Sequence, residues 1–138
     1  MNKNNTKEQG IVDKTSSGNA YIIRENIDKD IYVKEKNTLN SFDGDLVEFK
    51  KISKSEAIIT KVLKRNKVKF VGIVVKEKKN IYVKTLTKRD NNIFLIINKK
   101  EFKLKDKDIV LIEFVKWEGH LPEAKIKDRI GKSGVTEN

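Results

Sequence analysis

The sequence of 138 residues has no cysteine, one proline and one histidine, and each scarcity removes a class of protein. Without cysteine there is no disulfide framework and no thiolate metal site. The lone His120 has no metal-ligand partner at a recognised spacing and no nucleophile motif beside it. No apolar run approaches the roughly 20 residues that span a bilayer. The polar start lacks the apolar stretch of a signal peptide, so we expect a cytoplasmic protein with no membrane partner.

Positive charge is what the sequence has in excess. It holds 31 Lys and Arg against 20 Asp and Glu, a formal net charge of +11. Only four of the cations are arginines, at positions 24, 65, 89 and 129, so the excess is nearly all lysine. A charge of this size favours a polyanionic partner. A solvated surface that serves solubility alone is the alternative.

Three short segments recur in the same order, at an offset of 62 or 63 positions. The pairs are Gly10-Ile11-Val12 with Gly72-Ile73-Val74, Asp30-Ile31-Tyr32-Val33 with Asn92-Ile93-Phe94-Leu95, and Asp45-Leu46-Val47 with Asp108-Ile109-Val110. One match would be chance, but three in order indicate two copies of one fold. We therefore expect a disordered polar tail over 1–8, domains over 9–66 and 67–131, and a linker over 132–138.

Each copy has the pattern of five short strands. At Asp30 to Lys34 the side chains alternate, with Ile31 and Val33 on one face and Tyr32 and Lys34 on the other. The predicted strands are 9–14, 18–24, 30–34, 46–52 and 57–63 in the first copy, and 69–76, 80–84, 92–97, 108–117 and 123–130 in the second. Five strands with a longer connection between the third and fourth predict the OB-fold, a five-stranded Greek-key barrel. The chain is thus predicted to be all-β, with two such barrels in tandem; a pair of SH3-like barrels is the alternative.

The first copy resembles a cold-shock domain. The similarity is carried by Gly10-Ile11-Val12, Gly18-Asn19-Ala20-Tyr21-Ile22, Asp30-Ile31-Tyr32-Val33-Lys34 and Gly44-Asp45-Leu46-Val47. The pair looks like the N-terminal region of the ribonuclease R and ribonuclease II (VacB/RNB) exoribonucleases. Its second copy supports this with Trp117, Pro122 and Lys125-Ile126-Lys127-Asp128-Arg129-Ile130-Gly131, similar to the segment that leads into that family's catalytic domain.

The resemblance implies an RNA-binding module of a 3′-to-5′ exoribonuclease. The family's catalytic domain and its magnesium-binding acids have no counterpart here, so we expect no catalytic residue, no metal site and no cofactor in this chain. The expected partner is single-stranded RNA, bound with little sequence preference by a monomer. The alternative is a basic module that docks on the ribosome, on other structured RNA or on acidic partners.

Strand parity selects the candidate binding residues. If Ala20 and Ile22 point into the barrel, Tyr21 joins Tyr32 outside, and two tyrosines on adjacent strands form a platform on which bases stack. We expect Lys14 and Lys34 to flank it, and Asn19, which replaces a family aromatic, to hydrogen-bond a base edge. The second copy offers Tyr82, Lys84 and Phe94, with Lys88 and Arg89 as phosphate contacts in a loop. For the tyrosines the alternative is mutual packing, for Phe94 a place in the core, and for the loop an ordinary turn.

Overall fold

The computed structural model describes residues 8–87 and 92–132, and every structural statement here concerns those residues. They form two compact units, 8–67 and 68–87 with 92–132. Both are built from β-strands, with short 3-10 turns at Glu35–Asn37 and Lys99–Glu101. No helix within the described residues is long and apolar enough to cross a membrane. The prediction of an all-β chain with two five-stranded barrels is confirmed.

The first unit is a sheet with strand order β3-β2-β1-β4-β5. Its strands are β1 (Glu8–Lys14), β2 (Ala20–Arg24), β3 (Ile27–Val33), β4 (Leu46–Lys51) and β5 (Ala57–Lys64). Its neighbouring strands run antiparallel. The ends of the sheet meet at one parallel bridge between Tyr32 and Glu56, where the Tyr32 N–H donates to the Ser55 carbonyl at 2.8 Å. This contact between β3 and the start of β5 completes the barrel.

Alternating apolar side chains fill the first barrel. Buried residues alternate with outward ones along the strands, as the pleat requires, except over the exposed start of β3 and the second half of β5. The core side chains are Val12, Ala20, Ile22, Ile31, Val33, Val47, Phe49, Ala57 and Ile59. The predicted inward face of β2 and β3 is therefore confirmed, and with it the outward face of Tyr21 and Tyr32.

The second unit is a closed barrel with strand order β10-β8-β7-β6-β9. Its strands are β6 (Lys69–Glu77), β7 (Asn80–Thr85), β8 (Ile93–Ile96), β9 (Asp108–Lys116) and β10 (Glu123–Lys132). The ring closes where β10 runs parallel to β8, with Glu123 opposite Leu95. The other pairs are antiparallel, and β9 with β10 contains register shifts. The first and last strands reach into the predicted tail and linker, since β1 includes Glu8 and β10 includes Lys132.

A glycine opens each copy because another backbone passes too close for a side chain. A Cβ at Gly10 would lie 2.9 Å from the carbonyl oxygen of Ile23, and one at Gly72 would lie 2.5 Å from that of Lys84. Both distances are far below an ordinary contact, so any larger residue would force the first two strands of the barrel apart. The repeated Gly-Ile-Val segment thus has a structural cause.

A buried aspartate organises the turn before the fourth strand of each copy. In the first, Asp45 accepts from the Phe42 N–H at 2.8 Å, the Asn66 N–H at 2.9 Å and the Arg65 guanidinium at 2.8 Å. In the second, Asp108 accepts from the Lys105 N–H at 2.8 Å. Each of these aspartates shapes a turn by accepting from the backbone N–H three residues before it.

The third strands of the two copies correspond one position away from the sequence match. That match pairs Tyr32 with Phe94. In the structure, the Tyr32 N–H donates to Ser55 and the Leu95 N–H donates to Pro122, both at 2.8 Å and both at the barrel closure. Leu95 is therefore the counterpart of Tyr32, and Phe94 lies on the inward face.

Candidate nucleic-acid interface

Two tyrosines form a pair on the outer face of the first barrel. Tyr21 on β2 and Tyr32 on β3 are directly opposite in the antiparallel register. Their ring centroids lie 5.5 Å apart with the planes tilted by 56°. Tyr21 is 39% exposed, while Tyr32 is half-buried. The pair thus stabilises the sheet and still leaves aromatic surface open to solvent.

The tyrosine pair belongs to a larger outer surface that the sequence analysis missed. Ile11 and Ile23 are cross-strand partners and are 41% and 43% exposed. Ile23 shares the face of Tyr21 because it lies two residues further along β2. The same two-residue period was the signal that could have identified it. Asp13 stands opposite Tyr21, so one row across the sheet reads Asp13, Tyr21, Tyr32.

Asn19 and Lys34 lie near this surface with contacts of their own. The Asn19 side-chain oxygen accepts from the Glu35 N–H at 2.9 Å, and its amide nitrogen donates to Ser17 Oγ at 3.2 Å. The Asn19 amide therefore ties the β1–β2 turn to the start of the 3-10 turn. Lys34 is exposed, and its Nζ lies 3.8 Å from a Glu56 carboxylate oxygen. Lys34 is thus an exposed cation that forms an ion pair with one acid.

Lys14 does not lie beside the tyrosines, so the prediction that it flanks the platform is wrong. It has the parity of the buried Val12, so its side chain leaves β1 on the face opposite to Tyr21. Burial lowers the pKa of Lys14, and the nearby carboxylates of Glu35, Asp45 and Asp43 oppose that change. Lys14 therefore sits at an end of the barrel among acids.

The second barrel presents one aromatic ring at the matching place. Tyr82 lies between Val75 and Leu95 in the register and is half-buried. Lys84 is exposed, opposite Ile93. This face offers less aromatic surface than that of the first barrel.

Phe94 is a core residue, which corrects its candidacy as a binding residue. It is fully buried, and its ring packs on that of Phe70 with 4.9 Å between centroids. Because β8 alternates like every strand, its outward positions belong to Ile93 and Leu95. Lys88 and Arg89, the other candidates in this copy, lie outside the described residues.

The arginines that the structure describes are all engaged with acids. The distance from a guanidinium nitrogen to a carboxylate oxygen is 3.2 Å between Arg24 and Glu8 and 2.8 Å between Arg65 and Asp45. It is 3.1 Å between Arg129 and Asp108. Among the residues that the structure describes, the cations left for phosphate contacts are therefore lysines. Within residues 8–87 and 92–132, no three His, Cys, Asp or Glu side chains cluster in a way that could hold a metal ion.

Comparison with known proteins gives solved structures only. No protein-family profile and no curated protein matches the chain. Ribonuclease R from Mycoplasma genitalium, solved with ribose-methylated single-stranded RNA, matches with a TM-score of 0.77 and 19% identity over 92% of this chain. Its apo form matches with a TM-score of 0.75 and 18% identity. The yeast pseudonuclease Ssd1 matches with a TM-score of 0.72 and 13% identity over 91% of this chain.

These matches concern a part of each neighbour. The chain spans 22% of the length of either ribonuclease R chain and 23% of that of Ssd1. At such identities the similarity defines the fold. The chain therefore has the fold of a segment of ribonuclease R, two OB barrels in tandem, which confirms at the level of fold the resemblance seen in the sequence.

Proposed function

We propose that this chain is a single-stranded RNA-binding module of a ribonuclease R-like 3′-to-5′ exoribonuclease. The observation that carries the proposal is the tyrosine pair, Tyr21 and Tyr32, on the outer face of an OB barrel. A ribonuclease R that contains a segment of this fold was solved with single-stranded RNA, which supports this ligand. Aromatic faces beside cations are the usual means of holding single strands.

Binding by such a surface has little sequence preference. Every base has a face that stacks, and each stacked base contributes roughly 1–3 kcal/mol. With two rings that already contact each other, the first barrel supplies a modest affinity. In a parent enzyme, the module would hold RNA and pass its 3′ end to a catalytic domain, where we place the magnesium chemistry. We propose that it acts in the cytoplasm as a monomer and needs no cofactor itself.

The direct test is a fluorescence-anisotropy titration with a labelled oligo-uridine of about 15 nucleotides, long enough for an OB-fold site. We expect binding that weakens steeply as KCl rises, because phosphate contacts release counterions. A duplex of the same length should bind less tightly. No binding at low salt, or a preference for the duplex, would contradict the proposal.

A second candidate is a module that binds the ribosome, other structured RNA or an acidic partner. The mutual packing of the two tyrosine rings favours it, since such a pair stabilises a sheet without any ligand. In this case the lysines would contribute to affinity and the tyrosines would not.

The Asp13 carboxylate lies in the row of the two tyrosines. It should therefore weaken RNA binding by repelling the phosphates of a bound strand. A unit charge about 8 Å from a phosphate in water contributes roughly 0.5 kcal/mol. We therefore expect Asp13→Asn to tighten oligo-uridine binding about 2-fold at low salt. Glu25→Gln, in the exposed β2–β3 turn, makes the same change of charge away from the pair and should have a smaller effect. Equal effects of the two variants would show that only net charge matters.

A further inference from the structure

The basic excess of the chain is uneven between its copies. Residues 1–67 contain 14 Lys and Arg against 10 Asp and Glu, whereas residues 68–138 contain 17 against 10. The tyrosine pair lies in the first copy, which has the weaker charge. If the lysines served solubility alone, two barrels with the same fold would be expected to carry similar net charges.

Two segments of the second barrel meet at one end and carry most of these lysines. They are the end of β6 with the β6–β7 turn, and the β8–β9 connection with the first residue of β9. The Lys76 N–H donates to Asp106 Oδ1 at 2.9 Å, and Lys76 Nζ donates to the Leu104 carbonyl at 3.3 Å. Lys99 Nζ donates to the Lys79 carbonyl. These contacts hold both segments in one surface.

We call this surface the lysine cap. It consists of Lys76, Lys78, Lys79, Lys99, Lys100, Lys103, Lys105 and Lys107, all exposed except the half-buried Lys99. The same segments hold four acids, Glu77, Glu101, Asp106 and the buried Asp108. Asp106 accepts from a backbone N–H, and Glu101 accepts from the Asn98 amide at 3.1 Å. The cap therefore has a strong positive excess.

The matching end of the first barrel has no such excess. There the end of β1, the β1–β2 turn and the β3–β4 connection carry Lys14, Lys34 and Lys36. Three acids in the same segments, Glu35, Asp43 and Asp45, balance them. Since both ends use the same aspartate-centred turn, the fold does not require the lysines of the cap.

We propose that the lysine cap binds the phosphate backbone of nucleic acid, so that the first barrel stacks bases while the second holds phosphates. This inference rests on the proposed function. Lysine is a point charge suited to phosphate, and it contributes no base readout. A protein partner fits less well, because protein interfaces are depleted in lysine and enriched in arginine and aromatics.

The test neutralises four lysines of the cap and four elsewhere. The cap variant is Lys79→Gln, Lys100→Gln, Lys103→Gln and Lys105→Gln. The matched variant is Lys50→Gln, Lys54→Gln, Lys61→Gln and Lys64→Gln, at exposed positions of the first barrel. Both remove four positive charges, so only the location differs. Affinity for labelled oligo-uridine, for a hairpin duplex and for inorganic polyphosphate is measured over a series of KCl concentrations.

We expect the cap variant to bind oligo-uridine about 10-fold more weakly at low salt, and its log–log salt slope to fall by roughly 2–3. The matched variant should change by less than half as much. Polyphosphate has no bases, so its affinity should fall in the cap variant and not in a Tyr21→Ala, Tyr32→Ala variant. Comparing the affinities for the hairpin duplex and for oligo-uridine shows whether the cap prefers the phosphates of a duplex or those of a single strand.

Equal losses in the two lysine variants, or no loss in the cap variant, would overturn the proposal while leaving single-strand binding intact. A wild-type chain that binds polyphosphate through the cap but no oligo-uridine would instead overturn the proposed function. Binding to an acidic peptide in preference to all three phosphate probes would assign the cap to a protein partner.

Discussion

Replacing Asp45 with alanine is expected to lower the free energy of unfolding of the first barrel by about 3–5 kcal/mol. The carboxylate is fully buried and accepts from two backbone N–H groups and from Arg65. Its removal leaves the Phe42 and Asn66 N–H groups without this acceptor and Arg65 without its paired acid. Unsatisfied groups of this kind have the largest costs among point substitutions.

The second copy provides the matched control for this prediction. Asp108 is as buried as Asp45, but the Arg129 side chain is 44% exposed, against 23% for Arg65. Its contacts to Arg129 are also longer, at 3.1 and 3.5 Å. Water can therefore replace more of the hydrogen bonds that Arg129 loses. Asp108→Ala should lower the free energy of unfolding by only about 1.5–3 kcal/mol.

Urea unfolding followed by circular dichroism measures both losses. Asp28→Ala, at an exposed position of β3, is the surface control and should change stability by less than about 0.5 kcal/mol. If Asp45→Ala cost less than Asp108→Ala, the aspartate of the first copy would not have the stabilising role assigned to it here.

The part of the site on regular strands could be predicted from the sequence. Period-2 alternation at Ile31, Tyr32 and Val33 defines an inner and an outer face, and the barrel closes around the inner one. Extending the rule to β2 brings Tyr21 beside Tyr32. The same rule applied to Lys14 would have placed it with Val12, away from the tyrosines.

The prediction for Phe94 is wrong because a local sequence match differs by one residue from the true strand register. The sequence match pairs Phe94 with Tyr32 because the surrounding residues look alike, but relative to β1 and β6 the second copy has one extra position before its third strand. A one-residue shift moves a side chain to the other face of a strand, which put an expected binding residue into the core. No alternation within four residues reveals such a shift, because the contact that fixes it is the pairing of Leu95 with Glu123 in a distant strand.

The partners of charged residues also depend on contacts that are distant in the sequence. Arg65 and Asp45 are 20 positions apart, and Arg129 and Asp108 are 21 apart. The lysine cap likewise exists only because the end of β6 and the β6–β7 turn contact residues 20 to 30 positions away. Composition gives the total charge of a chain, whereas its location follows from the closure of the barrel.

Replacing both Tyr21 and Tyr32 with alanine is expected to weaken oligo-uridine binding by about 5-fold or more. One lost stacking contact of roughly 1 kcal/mol already gives this factor, and two would give more. The salt dependence should be unchanged, because no phosphate contact is removed. Fluorescence anisotropy gives the affinities, and circular dichroism establishes that the variant is folded.

Two further variants separate stacking from ordinary packing. Tyr21→Phe with Tyr32→Phe keeps the rings and should bind nearly as well as the wild type. Tyr21→Leu with Tyr32→Leu keeps apolar cover on the sheet but has no aromatic face, so it should bind as weakly as the alanine variant while being more stable. Tyr82→Ala, on the barrel with one half-buried ring at the matching place, should have a smaller effect than the double alanine variant. If the leucine variant retained full affinity, the rings would serve only to pack the sheet, and the binding surface would have to be sought among the lysines.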